Sequence, residues 1–145
     1  MTIGFYIRPE HNVAVLVHAG KVSDEEFLAF YKSFVKSDAF DSSMNLLVDL
    51  RNADSSSRSV KTLRRFAEFA EANLTDVTAH RKVAVVAPTD LSFGLARMYE
   101  AFSSSVQWDF VVFRAMDAAL ASVTPPKDPT NSQSGLTRPI QEEKG

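Results

Sequence analysis

The chain has 145 residues, of which 45% are apolar and 23% charged, the balance of a single water-soluble globular domain. Its 16 lysines and arginines against 18 acidic residues give a net charge of −2, whereas nucleic-acid-binding proteins carry a basic excess, so nucleic acid is not an expected partner. Cysteine is absent, which excludes disulfides, thiol catalysis and cysteine-ligated metal clusters.

Nothing in the chain resembles a segment that inserts into a membrane. Residues 1–9 lack the basic stretch and apolar core of a signal peptide. The longest apolar run, residues 83–87, has the length of a strand and is far shorter than the roughly 18 residues that cross a bilayer. We therefore expect no stable membrane insertion and a cytoplasmic location.

Strand-like and helix-like patterns alternate regularly over the first 123 residues. A hairpin comes first, because two β-rich runs flank the polar turn at residues 9–12. Ser23 with Glu26 three residues later predicts a capping box at the start of the first helix. The predicted order is strands 3–8 and 13–19, helix 23–34, strand 44–50, helix 59–74, strand 81–87, a helix capped by Thr89 or Asp90, strand 108–114 and helix 115–123.

The predicted fold is an α/β domain over residues 1–123, with a mixed five-stranded sheet covered by four helices. Strands separated by helices pair in parallel through right-handed crossovers, whereas a tight turn makes the first two strands antiparallel. Periodicity places Val60, Leu91 and Met116 at the start of the inner stripes of the last three helices. Residues 124–145 hold four of the six prolines and few large apolar side chains, so we expect a disordered tail there.

Several kinds of site can be set aside from motifs alone. Residues 1–123 contain neither a Gly-x-Gly-x-x-Gly turn, nor a P-loop, nor the Gly-x-Ser-x-Gly turn of α/β hydrolases. His11, His18 and His80 lack the spacing that directs two imidazoles at one metal ion, and we expect them to be surface or internally satisfied histidines. No catalytic residue, metal ligand or cofactor is therefore predicted.

The segment after the third strand is the strongest candidate for a binding or regulatory site. Five cations fall within fifteen residues, at the carboxyl end of a strand and the start of a helix, where amides, hydroxyls and guanidinium groups could hold an anion. The alternative is a solvated basic face on which Ser57 or Ser59 caps the helix. The candidate residues are Asp49, Arg51, Asp54, Ser55, Ser56, Ser57, Arg58 and Lys61, and Arg64 and Arg65 complete the five cations.

Aromatic side chains are a second feature of the sequence. Phenylalanine occurs 11 times, and Phe69 and Phe93 fall off the main apolar stripes of their helices. This pattern is typical of a phenylalanine-rich core. It also suits an apolar surface for a protein partner or a second copy of the chain, or a pocket for a small apolar ligand.

The order of elements resembles the SpoIIAA-like domains, which are the STAS group of anti-sigma-factor antagonists and their Sec14-like relatives. The stretches that carry the resemblance are residues 15–24, 46–51, 83–99, 112–114 and 118–120. The resemblance implies a SpoIIAA-like fold in a non-catalytic regulatory domain that binds a protein partner. It further implies a phosphorylated serine in an Asp-Ser-Ser-Gly turn. Asp54, Ser55 and Ser56 match its first three positions, which points to Ser56, and Ser57 replaces the glycine.

Three functions are open on this basis. The first is a regulatory module that binds a protein partner through the segment around Ser56. Such a module could also form a homodimer through the apolar residues off the helix stripes. The second is a carrier or sensor of a small apolar or lipid-like ligand. The third, an enzyme that uses Asp49 and Arg51 at the strand end, ranks last because no nucleophile or general base can be assembled around them.

Overall fold

The computed structural model describes residues 2–40, 43–73, 81–103 and 108–124. The described residues form five strands and four helices in the predicted order. The elements are β1 (Thr2–Arg8), β2 (Val13–Lys21), α1 (Asp24–Phe34), β3 (Asn45–Asp54), α2 (Val60–Asn73), β4 (Arg81–Val86), α3 (Asp90–Phe102), β5 (Trp108–Phe113) and α4 (Met116–Val123). None of the described helices is both long and apolar enough to span a bilayer. The predicted tail lies outside the described residues, except for Thr124.

The strands form one sheet in the order β1-β2-β3-β4-β5. β1 and β2 pair antiparallel, and β2 through β5 pair in parallel, so the predicted mixed sheet is confirmed. The β1–β2 turn uses Asn12 with a φ of 55°, a left-handed conformation that asparagine tolerates better than most residues. Each parallel strand then returns through a helix, as crossover geometry requires.

The two faces of the sheet are covered differently. Helices α1, α2 and α3 pack with the larger apolar cluster on one face. The short helix α4 packs on the other face, where its residues Ala119 and Val123 are fully buried against Val13, Val15 and Val86. Met116 packs against this smaller cluster, as its position in the predicted stripe requires. The sheet therefore separates a large helical layer from a small one.

The third strand is longer than its sequence predicts. It continues through Asn52 to Asp54, residues that we expected in a loop because asparagine and aspartate have low β propensity. β2 also continues, and its residues Ala19, Gly20 and Lys21 pair with Asn52, Ala53 and Asp54. The ladder between the two strands outweighs the local preference of the side chains for a turn.

Helix α2 keeps most of its predicted stripe, with Leu63, Ala67 and Ala70 buried, whereas α3 is rotated on the sheet relative to its predicted stripe. Val60 is 44% exposed and Leu91 is 52% exposed, so their predicted inward positions are wrong. In α3 the neighbouring stripe faces inward. The inward residues are Leu63, Phe66, Ala67 and Ala70 in α2, and Ser92, Ala96 and Tyr99 in α3.

Phe69 and Phe93, the two phenylalanines expected off the stripes, are half-buried and pack against the larger cluster. Phe69 stacks on Phe66 with ring centroids 6.4 Å apart. Phe93 lies beneath the guanidinium of Arg114, which is 4.2 Å from its ring centroid. Both rings therefore have partners within the fold.

Candidate functional site

A cavity of about 110 Å³ lies between the sheet and the three helices of the larger layer. A water molecule needs roughly 10–15 Å³ of such space, so the cavity could hold several waters or a small organic ring. Strand residues with apolar side chains form its floor, and aromatic residues of the helices form its roof. The floor includes Val48, Leu50, Val83 and Val85, and the roof includes Phe66 and Tyr99.

Small residues leave this space open. Ala96 of α3 lines the cavity where a larger side chain would fill it. Gly20 and Ala53 line its mouth, at the carboxyl ends of β2 and β3. Ala53 faces the cavity because β3 has one extra residue between Asp49, which pairs with Val17, and Asn52, which pairs with Ala19. Such a bulge changes the side from which the following residues of β3 project.

The aromatic rings of the roof contact one another in a continuous series. The ring centroids of Phe27 and Phe66 are 5.1 Å apart, those of Tyr31 and Phe66 are 4.4 Å apart, and those of Phe66 and Tyr99 are 5.1 Å apart. Phe110 of β5 extends the series, 5.5 Å from Tyr99. Such pairs fix ring orientations beyond simple area burial, so the roof is held in a defined shape.

A buried polar pair stands in this apolar surrounding. His18 of β2 is only 3% exposed, and its Nε2 lies 3.0 Å from the Oη of Tyr31. Burial, with a smaller contribution from the Arg58 charge, lowers the pKa of His18 to about 4, although Asp49 opposes the shift. Burial also raises the pKa of Tyr31 far above its usual range. Both side chains are therefore uncharged at neutral pH.

The cation at the mouth of the cavity is Arg58, and it is already paired. Its Nη1 donates to Asp24 Oδ1 at 2.8 Å, and its Nη2 donates to the carbonyl of Val22 at 3.0 Å. Its guanidinium also lies over the ring of Phe27, 4.2 Å from the centroid. The positive charge of Arg58 is therefore balanced inside the fold.

Asp24 connects this arginine to the start of α2. Ser59 Oγ donates to Asp24 Oδ2 at 2.9 Å and accepts from the backbone amide of Thr62 at 3.1 Å. Ser59, one of the two residues predicted to cap α2, is therefore its N-cap. Burial alone would raise the pKa of Asp24, but hydrogen bonds from Thr62, Arg58 and Ser59 outweigh it and lower that pKa. Asp24 is thus a stable anion at neutral pH.

Part of the predicted site borders the cavity mouth. Asp54, Ser55 and Arg58 line it, whereas Ser56, Ser57 and Lys61 are exposed to solvent. The Asp54 carboxylate accepts the backbone amide of Ser56 at 3.0 Å, which forms a tight turn. Hydrogen bonding from the side chain of Ser56, and then from its backbone amide, lowers the pKa of Asp54.

The remainder of the predicted site lies on the other face of the sheet. Asp49 follows Val48, which lines the cavity, and adjacent residues of a strand point to opposite faces of the sheet. Asp49 therefore points toward the face that carries α4. Arg51 Nε and Nη2 donate to the two oxygens of Asp49 at 3.0 and 2.9 Å. These bonds outweigh burial and lower the pKa of Asp49. The structure therefore does not bring Arg51 and Arg58 together.

Neither His18 nor Tyr31 was predicted from the sequence to belong to a site. The spacing of the histidines bears only on metal binding. Among the described residues, no group of three or more metal-ligating side chains exists. A polar residue in the otherwise apolar stretch of β2 was the available signal, because a buried histidine needs a partner.

Comparisons with known proteins bear on the fold. No family model matches the sequence, and no curated protein gives a significant match. One crystal structure that does match is that of an uncharacterized protein of the DUF3478 family, with a SpoIIAA-like fold, from Shewanella loihica PV-4. It covers 84% of this chain and 92% of its own, with a TM-score of 0.53 and 15% identity. The chain has a SpoIIAA-like fold.

That fold was the expectation from the resemblance, and the comparison confirms it. At this identity the likeness concerns the fold alone, because one fold hosts many functions. Within the SpoIIAA-like fold, the cavity mouth lies at the carboxyl ends of the parallel strands β2 and β3. Ligands of open α/β sheets commonly bind at this end of the strands.

Proposed function

We propose that the protein binds a small apolar ligand in the cavity between the sheet and helices α1 to α3, and acts as its carrier or sensor. The observation that supports this function best is an apolar cavity that contains an uncharged His18–Tyr31 pair. Binding sites for small molecules combine mostly apolar walls with a few placed polar groups.

We further propose that the protein binds and does not catalyse. The carboxylate of Asp49 is nearly buried and accepts three hydrogen bonds from Arg51, so it is not available as a general base. Arg58 is engaged in the same way by Asp24. An apolar ligand would recover contacts that the cavity walls lack when the cavity is empty.

Filling the cavity tests this function. Ala96→Leu adds a larger side chain at the cavity wall, and Ala101→Leu makes the same change on the exposed side of the same helix. The probe is N-phenyl-1-naphthylamine, an uncharged dye whose fluorescence rises in apolar sites. The dye is larger than the cavity of about 110 Å³, so one of its ring systems would enter the cavity while the other extends through the mouth. We expect saturable binding by the unaltered chain, about tenfold weaker binding by Ala96→Leu, a difference of about 1.4 kcal/mol, and unchanged binding by Ala101→Leu.

Two results would contradict the proposal. One is the absence of saturable dye binding by the unaltered chain. The other is equal binding by all three proteins, which would place the dye elsewhere on the surface. Native mass spectrometry of freshly purified protein gives an independent check, because a natural ligand should appear as an adduct that Ala96→Leu reduces and Ala101→Leu keeps.

A second candidate function is the regulatory module that recognises a protein partner. It is supported by the exposure of Ser56 and Ser57 in the turn beside the cavity mouth and of Lys61 in the first turn of α2. Phosphate on Ser56 would add nearly two negative charges there and form charge-assisted hydrogen bonds with a cation. A protein partner, a homodimer and a cytoplasmic location stay predictions from the sequence.

The variants Ser56→Ala and Ser56→Asp test the regulatory candidate. If phosphorylation of Ser56 switches partner binding, the two variants should retain different proteins from a lysate. Ser103→Ala, which alters a serine at the end of α3, is the control. Identical capture by both Ser56 variants and the control would end the switch hypothesis without affecting the cavity.

A further inference from the structure

The lining of the cavity limits the charge of the ligand that the proposed function requires. Asp54 and Arg58 are the charged residues of the described lining, and both lie at the mouth. Arg58 is paired with Asp24, and the Asp54 carboxylate accepts the amide of Ser56. A ligand anion placed deeper would therefore lose its hydration without gaining a free cation, which is costly in an apolar site.

His18 offers a hydrogen-bonding group inside the cavity. Among the buried polar side chains of the described lining, Ser92 bonds to Thr89 in a capping box, and Ser103 Oγ donates to the main-chain carbonyl of Tyr99. The Oη of Tyr31 bonds to His18 Nε2. The other ring nitrogen of His18, Nδ1, bonds to no side chain in the described part of the chain.

The tautomer of His18 determines whether Nδ1 accepts or donates a hydrogen bond. If Nε2 carries the proton and donates to Tyr31, Nδ1 is an acceptor. If Tyr31 donates to Nε2, Nδ1 carries the proton and is a donor. A hydroxyl can both donate and accept, so it pairs with Nδ1 in either tautomer. A carboxylate pairs in only one of them and brings a charge that the lining does not balance.

We infer that the cavity selects an uncharged ligand, an alcohol or a phenol, whose hydroxyl hydrogen-bonds to His18 while its hydrocarbon part contacts the aromatic roof. This inference rests on the proposed function and adds the chemical class of the ligand. The aromatic series from Phe27 to Tyr99 favours a ring, because aromatic rings pack well against one another in edge-on and offset arrangements.

Three probes of similar size separate charge from hydrogen bonding. They are 2-naphthol, 2-methylnaphthalene and 2-naphthoate, each used at pH 7 to displace N-phenyl-1-naphthylamine from the unaltered chain. We expect 2-naphthol to displace the dye at a concentration about fivefold lower than 2-methylnaphthalene, as one neutral hydrogen bond allows. We expect 2-naphthoate to need a concentration at least about tenfold higher than 2-naphthol, because its charge must be desolvated.

The double variant His18→Phe/Tyr31→Phe assigns the hydroxyl preference to this pair. It removes both polar partners together and keeps two rings of similar size, a change that can be nearly neutral for stability. We expect the preference for 2-naphthol over 2-methylnaphthalene to vanish, while 2-methylnaphthalene still binds. Tyr6→Phe, at an exposed tyrosine of β1, is the control and should keep the preference.

The outcomes distinguish this inference from the function on which it rests. Tighter binding of 2-naphthoate than of 2-naphthol, or a preference that survives in the double variant, would overturn the inference and leave the ligand-binding function intact. Failure of all three probes and of the dye to bind would overturn both. The three-probe series needs no variant, so it remains decisive even if the double variant does not fold.

Discussion

His18 links the burial of one residue to the pH dependence of the whole protein. The groups that act on its imidazole are Tyr31, which bonds to Nε2, Arg58, which disfavours protonation, and Asp49, which favours it. Phe27 packs against the ring, with centroids 5.8 Å apart. Burial dominates, so the folded protein takes up a proton on His18 at a lower pH than the unfolded chain does.

We predict that the free energy of unfolding falls by about 3 kcal/mol as the pH falls from 6.5 to about 4. In that range the unfolded chain binds a proton at His18 and the folded protein does not, so stability is lost as the pH decreases. Above pH 6.5 the residue is neutral in both states and contributes no slope. Urea unfolding at a series of pH values measures the effect.

The control for this prediction is His18→Gln, which cannot be protonated. Its free energy of unfolding should change much less between pH 6.5 and 4 than that of the unaltered chain. The carboxylates of Asp24 and Asp49 have lowered pKa values, so their stabilising contributions are present through this range and are lost only at lower pH. The same slope in both proteins would show that His18 is not the group responsible.

At the scale of elements, Asp24 joins the starts of two helices. It lies in the first turn of α1 and holds both Arg58 and Ser59, the cap of α2. The side chain of Arg58 is only 9% exposed, so removing its partner would leave a nearly buried charge unpaired. This contact fixes α2 beside the cavity mouth.

We predict that Asp24→Asn lowers the free energy of unfolding by about 2 kcal/mol, the usual value of hydrogen bonds to a charged group. Glu25→Gln is the matched control, because it removes a charge from the same helical turn at an exposed position. It should cost only about 0.5 kcal/mol, the contribution of an acidic side chain to the helix dipole. Equal losses in thermal or urea unfolding would mean that the link between the helices contributes nothing.

Local patterns in the sequence predicted which elements form, because their causes are local. The capping box of Ser23 and Glu26 is present, and so is the cap at Thr89, one of the two residues proposed. Periodicity does not fix how a helix is rotated on the sheet, as Leu91 of α3 shows. Rotation depends on which side chains of the sheet lie opposite, and those come from distant parts of the chain.

The candidate site was predictable only in part. Asp54, Ser55 and Arg58 were identified from the run of serines and cations, and they do line the cavity mouth. The pairing of Arg58 with Asp24 joins residues 34 positions apart, so it could not be predicted from local charge. Many phenylalanines fit either a filled core or a walled cavity, and only the three-dimensional packing distinguishes the two.

At the scale of the whole molecule, the sheet separates a closely packed cluster from a layer that contains a cavity. Val85 and Val86 are neighbours in β4 and point to opposite faces. Val85 lines the cavity and is 5% exposed, whereas Val86 is fully buried against α4. Both residues are valines of the same strand and have the same two neighbouring strands. They differ mainly in the helices that cover them.

We predict that Val86→Ala lowers the free energy of unfolding by about 2 kcal/mol and Val85→Ala by about 1 kcal/mol. Val86→Ala removes close contacts and opens a new void beneath α4. Val85→Ala enlarges a space that already exists, so fewer contacts are lost. Both changes have the same effect on β propensity, which therefore cancels in urea unfolding measurements. Equal losses would mean that the cavity is filled or closed in solution, because only then would both valines be packed alike.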